Sequence, residues 1–301
     1  MKTFIYKILL FFFFLAVADF FIGGLLVEMQ KRAKGGALYE RNYIADKAEE
    51  DILFFGSSRA MHHYVPSIVE DSMSLSSYNC GADGNGAVLM YGRYKLLTQR
   101  YTPKAIIYDA NIDYDFSAND NIKYISHLRD YYDYPGIDSI FSVVDSKEKL
   151  KMNSKLYRCN SKIISIASNF ILNRKNENNG YFPLYGTMEV IPDAPEKNLP
   201  PVTVDSLKVA FLEALVEDCN KRGIKLMFTI SPFYFEQDMS AYAPLEALCE
   251  KHDIPLLNCA SDTIFLGKKE YFKDSTHLNH DGAVLFTSLI IPELKKLLGL
   301  S

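Results

Sequence analysis

Three short segments hold side chains that could do chemistry together: Gly56-Ser57-Ser58, Asn79 to Gly84, and Asp274-Ser275-Thr276-His277. Nucleophilic serine chemistry needs a hydroxyl, an imidazole to take its proton, a carboxylate to hold that imidazole, and donors for the developing oxyanion. All four types are present. A strand-end serine of this block, leaving a buried strand and entering a helix, exposes its Oγ beside unpaired backbone N–H groups. The spacing of three between Asp274 and His277 lets one turn deliver both, with the carboxylate on one ring nitrogen and the other nitrogen facing the serine. Plainer roles exist for each residue. Ser57 and Ser58 could cap the following helix, Asp274 could cap a turn, and Gly84 could serve only to turn the chain. Ser57 as nucleophile and a metal held by His62, His63, Asp274 and His277 are minor readings, and no cofactor is expected. His62, His63 and His280 read as solvated loop residues, and Arg59 as a surface arginine with an anionic substrate group as its alternative partner.

Positioning such residues requires a scaffold. The apolar runs at Asp51 to Ser57, Ser74 to Asn79, Ala105 to Ile112, Lys225 to Ile230 and Ile254 to Asn258 have the length and content of buried parallel strands. Helical patterns lie between them. Leu207, Phe211 and Leu215 share a face before Gly223, a second helix covers Ala241 to His252, and a third runs from Ala283 to Leu298. Alternating strands and helices predict a doubly wound α/β protein, a flavodoxin-like three-layer α/β/α sandwich around a five-stranded parallel sheet. In such sheets ligands sit beyond the carboxyl ends of the strands.

Two segments stand apart from that alternation. Residues 117–200, rich in Asn, Asp, Ser and Tyr, interrupt the body between its third and fourth strands, and a structureless loop of that length is improbable in a compact domain. Short helices forming a cap over one end of the sheet are expected there. Tyr124, Tyr131, Tyr132 and Tyr134 would either stack on sugar rings or pack within the cap, and Asn179 to Pro183 reads as a turn at the substrate side or a structural one. At the other extreme, residues 1–34 hold an apolar run from Ile8 to Ala18 that resumes from Phe20 to Val27 after the single charge of Asp19. At about 1.5 Å per residue, that stretch matches the hydrocarbon thickness of a bilayer. An uncleaved signal anchor, with Asp19 neutralised or paired with a partner helix, competes with cleavage after Ala18, and the anchor is favoured because the apolar stretch continues past Asp19. Either route makes the body, residues 35–301, extracytoplasmic.

Composition narrows the partners. The chain has 33 Lys plus Arg against 37 Asp plus Glu, a net charge of −4, and no segment concentrates base as a nucleic-acid footprint would. Five cysteines without CxxC spacing indicate neither a disulfide scaffold nor a zinc knuckle.

Taken together, these blocks resemble the SGNH (GDSL-like) hydrolase superfamily. FFGSSRA at Phe54 to Ala60 is similar to its first block with Ser57 where the usual Asp stands, as in the DltD-like and alginate-acetylation branches, which implies Ser58 as nucleophile. NCGADG at Asn79 to Gly84 resembles the second block and implies Gly84 as a backbone oxyanion donor. DSTHLNHDG at Asp274 to Gly282 resembles the last block and implies Asp274 and His277 as the orienting acid and the base. The third block, GxND in the family, appears only as ANID, Ala110 to Asp113, with Asn111 as the side-chain oxyanion candidate one residue from the family register. The resemblance covers residues 49–116 and 203–298. It implies a membrane-anchored serine esterase or acyltransferase acting on acyl, chiefly acetyl, esters of an envelope or secreted glycan. A non-catalytic anchored partner that binds glycan or scaffolds a membrane acyltransferase is the alternative.

Overall fold

The computed structural model describes residues 1–193 and 203–300. Helix α1 (Lys2–Lys31) leads into α2 (Gly36–Asp46) and then the body. The five apolar runs form β1 (Ile52–Gly56), β2 (Ser77–Asn79), β3 (Ala105–Asp109), β4 (Lys225–Ile230) and β5 (Leu256–Asn258), all parallel in the order β2-β1-β3-β4-β5. That is the flavodoxin-like doubly wound order. The register sets Phe54 opposite Asn79 and Gly56 opposite Asp109, so the strands carrying the candidate blocks end at one edge.

Strand alternation sorts the core into two layers. Leu53, Phe55, Ile106, Tyr108, Leu226 and Phe228 face one side, while Ile52, Phe54, Ala105, Ile107 and Met227 face the other. After β1 come α3 (Ser58–His63) and α4 (Pro66–Met73), and α5 (Ala87–Leu97) joins β2 to β3. Beyond β3 the chain forms α6 (Ile112–Asp115), α7 (Asn121–Ile125), a 3-10 turn at Ser126–Tyr131, α8 (Ile137–Val144), α9 (Ser146–Lys151), α10 (Lys155–Arg158) and α11 (Ile163–Ile171). The return to β4 is α12 (Ser206–Arg222), followed by α13 (Ala243–His252) and the C-terminal α14 (His280–Leu298). Residues of α5, α12 and α13 cover the Leu53 side, and residues of α4 and α14 cover the Ile52 side.

The insertion consists of the expected short helices. Its apolar faces, including Tyr124, Leu128, Tyr131, Ile137, Ile140 and Phe141, join the Leu53-side core. Tyr124 and Tyr131 are buried there, which settles them as packing residues and removes them as sugar-stacking candidates. α7, the 3-10 turn and α8 lie along α5, and residues 176–188 cross back toward the carboxyl edge. The stretch 194–200 of the insertion lies outside the described residues.

α1 is long and apolar enough to cross a membrane, about 45 Å of helix whose Phe11 to Phe14, Phe20 and Phe21 are exposed. The acidic residue inside its apolar stretch is explained by the body. Asp19 accepts hydrogen bonds from Ser154 Oγ at 2.6 Å and from the backbone N–H groups of Leu156 at 2.9 Å and Lys155 at 3.1 Å, the open N-terminus of α10. Its partner is therefore a helix of the same chain, where orphan N–H groups and the helix dipole favour a carboxylate. A Cβ on Gly23 would lie 2.7 Å from Lys155 Cβ, so only glycine lets the two helices approach this closely.

This docking predicts a local effect. Asp19→Ala removes three hydrogen bonds from α10, a loss of the order of a helix cap, about 1–2 kcal/mol. Amide exchange of the full chain in detergent should accelerate across residues 154–159 and stay unchanged in β1 and β3. Unaltered exchange at 154–159 would contradict the docking.

Candidate active site

The carboxyl edge gathers the three sequence blocks. β1 ends at Gly56, whose φ of +136° and contact with the Asp109 backbone leave no space for a side chain. The chain then turns sharply into α3. Ser57 is fully buried, and its Oγ accepts the Arg59 N–H at 3.4 Å, so it caps the helix. Ser58 follows as the first helical residue, half-buried. Its Oγ lies 2.8 Å from His277 Nε2. On the other side of that ring, Nδ1 is 2.9 Å and 3.0 Å from the two Asp274 oxygens, and the His277 backbone N–H also donates to Asp274 at 2.8 Å. Ser58, His277 and Asp274 thus form one continuous relay.

The electrostatics favour that relay. Burial would raise the Asp274 pKa, but its hydrogen bonds from His277 and the Thr276 N–H outweigh this and hold the carboxyl well below its usual range. An ionised Asp274 fixes the proton of neutral His277 on Nδ1, leaving Nε2 able to take one from Ser58. The loop itself is pinned by an antiparallel bridge between Phe272 and Leu278, with Lys273 N–H on His277 O at 2.8 Å.

Gly84 and Asn111 reach the same edge. Asn111 directly follows Ala110 beyond β3 and caps α6, its Oδ1 accepting from Asp113 N–H at 3.0 Å. Its backbone N–H donates to Asp115 at 2.7 Å, and Asp115, whose carboxyl burial pushes up to about 7, holds the turn in place. Gly84 lies in the turn after Asp83, and Asp83 is 3.2 Å from His62 Nε2. The Asn111 Nδ2 and the Gly84 and Ser58 N–H groups make no hydrogen bond to another group among the described residues.

Four expectations for charged residues are corrected. Arg59 is buried, not on the surface. It pairs with Asp109 at 3.8 Å, donates to the Ser231 carbonyl and to Ser231 Oγ, and lies over the Phe233 ring at 3.5 Å. His63 is buried, not solvated. Ser231 Oγ gives its single proton to Asp109 at 2.8 Å, so His63 Nδ1 must donate to Ser231 Oγ, and Nε2 accepts from Leu278 N–H at 3.0 Å. Burial and the Arg59 charge keep that ring neutral by lowering its pKa well below the ordinary value. Through it, the sheet edge grips the residue next to His277. His62 also has partners at both nitrogens. Nδ1 donates to the Phe182 carbonyl at 2.6 Å and Nε2 faces the Asp83 carboxylate at 3.2 Å, an arrangement that favours the protonated ring, which lies edge-on to His277 at 5.7 Å between centroids. His280 is paired with Tyr181 at 3.0 Å. The segment Asn179 to Pro183 is thus a strap across α3, with Phe182 N–H on Met61 O at 3.1 Å.

Asp109 and Ser231 were not singled out in the sequence. A signal existed, since the apolar strands AIIYD and KLMFTIS each close on a polar residue at the edge where buried charge can be shared.

No family model and no curated protein matches the sequence. Solved structures similar to the chain include a GDSL-like lipase from Bacteroides thetaiotaomicron, 13% identical, covering 81% of this chain and 87% of that one with a TM-score of 0.38. Another is an acetyl xylan esterase, 9% identical, with coverage of 81% and 98% and a TM-score of 0.40.

The His62–Asp83 pair makes a signed pH prediction. Burial would lower the His62 pKa, but Asp83 and the Phe182 carbonyl outweigh it and raise the value above its ordinary 6.5. His62 chiefly lowers that of Asp83 below 3.8. The histidine contribution is fully present below about pH 6.5 and is lost as pH rises through the raised folded value. The aspartate contribution is present above about pH 4 and is lost as pH falls below it. The Tm gap between wild type and His62→Gln should be widest between about pH 4 and 6.5 and should shrink by pH 9. A gap independent of pH would show that the pair is not ionic.

Proposed function

We propose that the chain is a serine carboxylic-ester hydrolase of SGNH type, held at a membrane by α1 with its body on the extracytoplasmic side. The observation that supports this most is the 2.8 Å contact between Ser58 Oγ and His277 Nε2, continued to Asp274. Ser58 attacks the ester carbonyl while His277 Nε2 takes its proton, forming a tetrahedral intermediate. Asp274 stabilises the imidazolium so formed. The oxyanion is received by the N–H groups of Ser58 and Gly84 and by Asn111 Nδ2. His277 then returns the proton to the departing alkoxide, leaving an acyl-Ser58. Water, activated by the same base, releases the acid and restores the serine. A sugar hydroxyl in place of that water makes the same site an acyltransferase.

The proposed substrate is an acyl, chiefly acetyl, ester on an envelope or secreted glycan. Two features support it. The relay is open, with Asp274 exposed and Ser58 half-buried, which suits an ester displayed on a polymer. The strap beside it carries exposed Phe182 and Tyr185, the latter 5.4 Å from the His280 ring, and amphipathic aromatic faces of this kind suit sugar rings. A glycan-binding scaffold without catalysis has no use for a hydroxyl, base and carboxylate in hydrogen-bonded line.

Ser58→Ala should abolish hydrolysis of a small acetyl ester and labelling by a fluorophosphonate, with turnover falling roughly 10⁴-fold or more. His277→Ala should match it, and Asp274→Asn should retain more, because the imidazole stays present but loses its orientation. Ser57→Ala should keep labelling and lose only the stability of a helix cap, about 1 kcal/mol. A folded Ser58→Ala protein with full activity would refute this mechanism, and a wild type inert to esters and probe would favour the scaffold.

A further inference from the structure

The α10 to α11 segment has an unusual surface. On α11 only Ile166 is buried, while Ile164 is 86% exposed, Ile171 69%, and Ile163 56%. Ile164 and Ile171 lie seven residues apart and share one outward face, where a helix of a water-surrounded body carries polar residues. Leu172, just beyond the helix, extends it. No described part of the chain covers this face, yet its neighbours show what does.

α11 packs against the outer end of α1. Ile166 shares a buried cluster with Leu26, Ala33 and Cys159, and the Lys34 N–H donates to Asn169 O at 2.8 Å. α10 is bonded to Asp19, about two turns nearer the membrane-crossing part of the same helix. Beside these helices Phe20, Phe21 and Leu25 of α1 remain exposed, so the apolar surface of α1 continues alongside them.

Charge has the same address. Residues 145–175 contain eight Lys and Arg against two Asp and Glu, in a chain whose net charge is −4. Several of these bases pair with Asp130, Asp133 and Asp138, but Lys155, Arg174 and Lys175 have no carboxylate side chain within ion-pair distance among the described residues. Lys155 Nζ sits 5.3 Å from the Phe20 ring centroid and Lys34 Nζ 5.5 Å from that of Phe170 on α11. Basic heads over aromatic rings at the foot of an apolar helix form the pattern of an interfacial segment, with stems in the acyl boundary and charges among headgroups.

We infer that α11 and its flanks form a second membrane contact, seating the outward Ile163, Ile164 and Ile171 face in the same leaflet that α1 leaves, with the surrounding bases on anionic headgroups. The body is then held at two points and cannot swing freely on α1. Phe182, whose carbonyl bonds His62 beside the relay, comes eleven positions after Ile171, so the active site lies within about 40 Å of the leaflet. This contact is independent of the chemistry assigned to Ser58.

The test uses the full chain with Cys259→Ser as background, because the other four cysteines are buried. Spin labels are attached at Ile164→Cys and Ile171→Cys, at Leu289→Cys on the exposed face of α14, and at Phe12→Cys within α1. The protein is reconstituted in phosphatidylcholine vesicles with about one-third phosphatidylglycerol, a content chosen to supply anionic headgroups. Relaxation by oxygen, which concentrates in lipid, is compared with that by a water-soluble nickel chelate. The labels at 164 and 171 should favour oxygen several-fold over the label at 289, with the label at 12 deepest. Equal water accessibility at 164, 171 and 289, with 12 in lipid, overturns this contact while leaving the span intact. Labels at 164 and 171 shielded from both reagents would assign the face to a protein partner and also overturn it. A water-exposed label at 12 would remove the span, and the contact with it.

Discussion

A single buried charge pair holds the candidate site together. Arg59, one residue after the nucleophile candidate, runs beneath the sheet edge to Asp109 at the end of β3 and to Ser231 just past β4. Both charges are almost wholly excluded from water. Taking two charges out of water costs several kcal/mol per ion, and removing either partner strands the other. The arrangement is therefore weak as a source of stability and strong as a constraint on geometry. Arg59 reaches Asp109 from the first turn of α3, the same turn that presents the Ser58 hydroxyl to His277.

The same network sets the other half of the relay. Asp109 takes the Ser231 hydroxyl proton, Ser231 therefore accepts from His63, and the far nitrogen of His63 accepts the Leu278 N–H. Each link has one direction because each hydroxyl and ring has one proton to give. His277 is thus placed from behind by the sheet, while Asp274 holds it from the solvent side. A nucleophile and base that are 219 residues apart in sequence meet at 2.8 Å because a common buried anchor positions both.

Around this rigid edge, the insertion joins the site to the membrane-spanning candidate. Its helices supply apolar faces to the core, its strap crosses α3 to bond His62, and its α10 N-terminus takes the carboxylate of Asp19. An acidic residue that would be expensive in a free apolar helix is satisfied by N–H groups that would otherwise lack partners. Two local liabilities offset each other, and the result fixes α1 against the body.

How much of this was legible from residues alone depends on the range of the cause. The five strands stand where short apolar runs predicted them, since a parallel sheet covered on both faces is built from short, continuously apolar segments. The serine, histidine and aspartate blocks were recognisable because each is local, a few residues at one strand end or one turn. Composition and an apolar run near the N-terminus were enough to identify a helix able to cross a bilayer. Tertiary structure decided the rest. Arg59, His62 and His63 look like polar loop residues until Asp109, Asp83, Ser231 and the Phe182 carbonyl are brought to them from distant segments. Ser57 and Ser58 are chemically alike, and only the strand-to-helix turn buries one as a cap and points the other at His277. Asp19 called for a partner, but a helix N-terminus 135 residues away is specified by packing, not by any pattern around the aspartate. Local sequence determines what a segment can bury. Which buried charges find one another is settled only when the layers close.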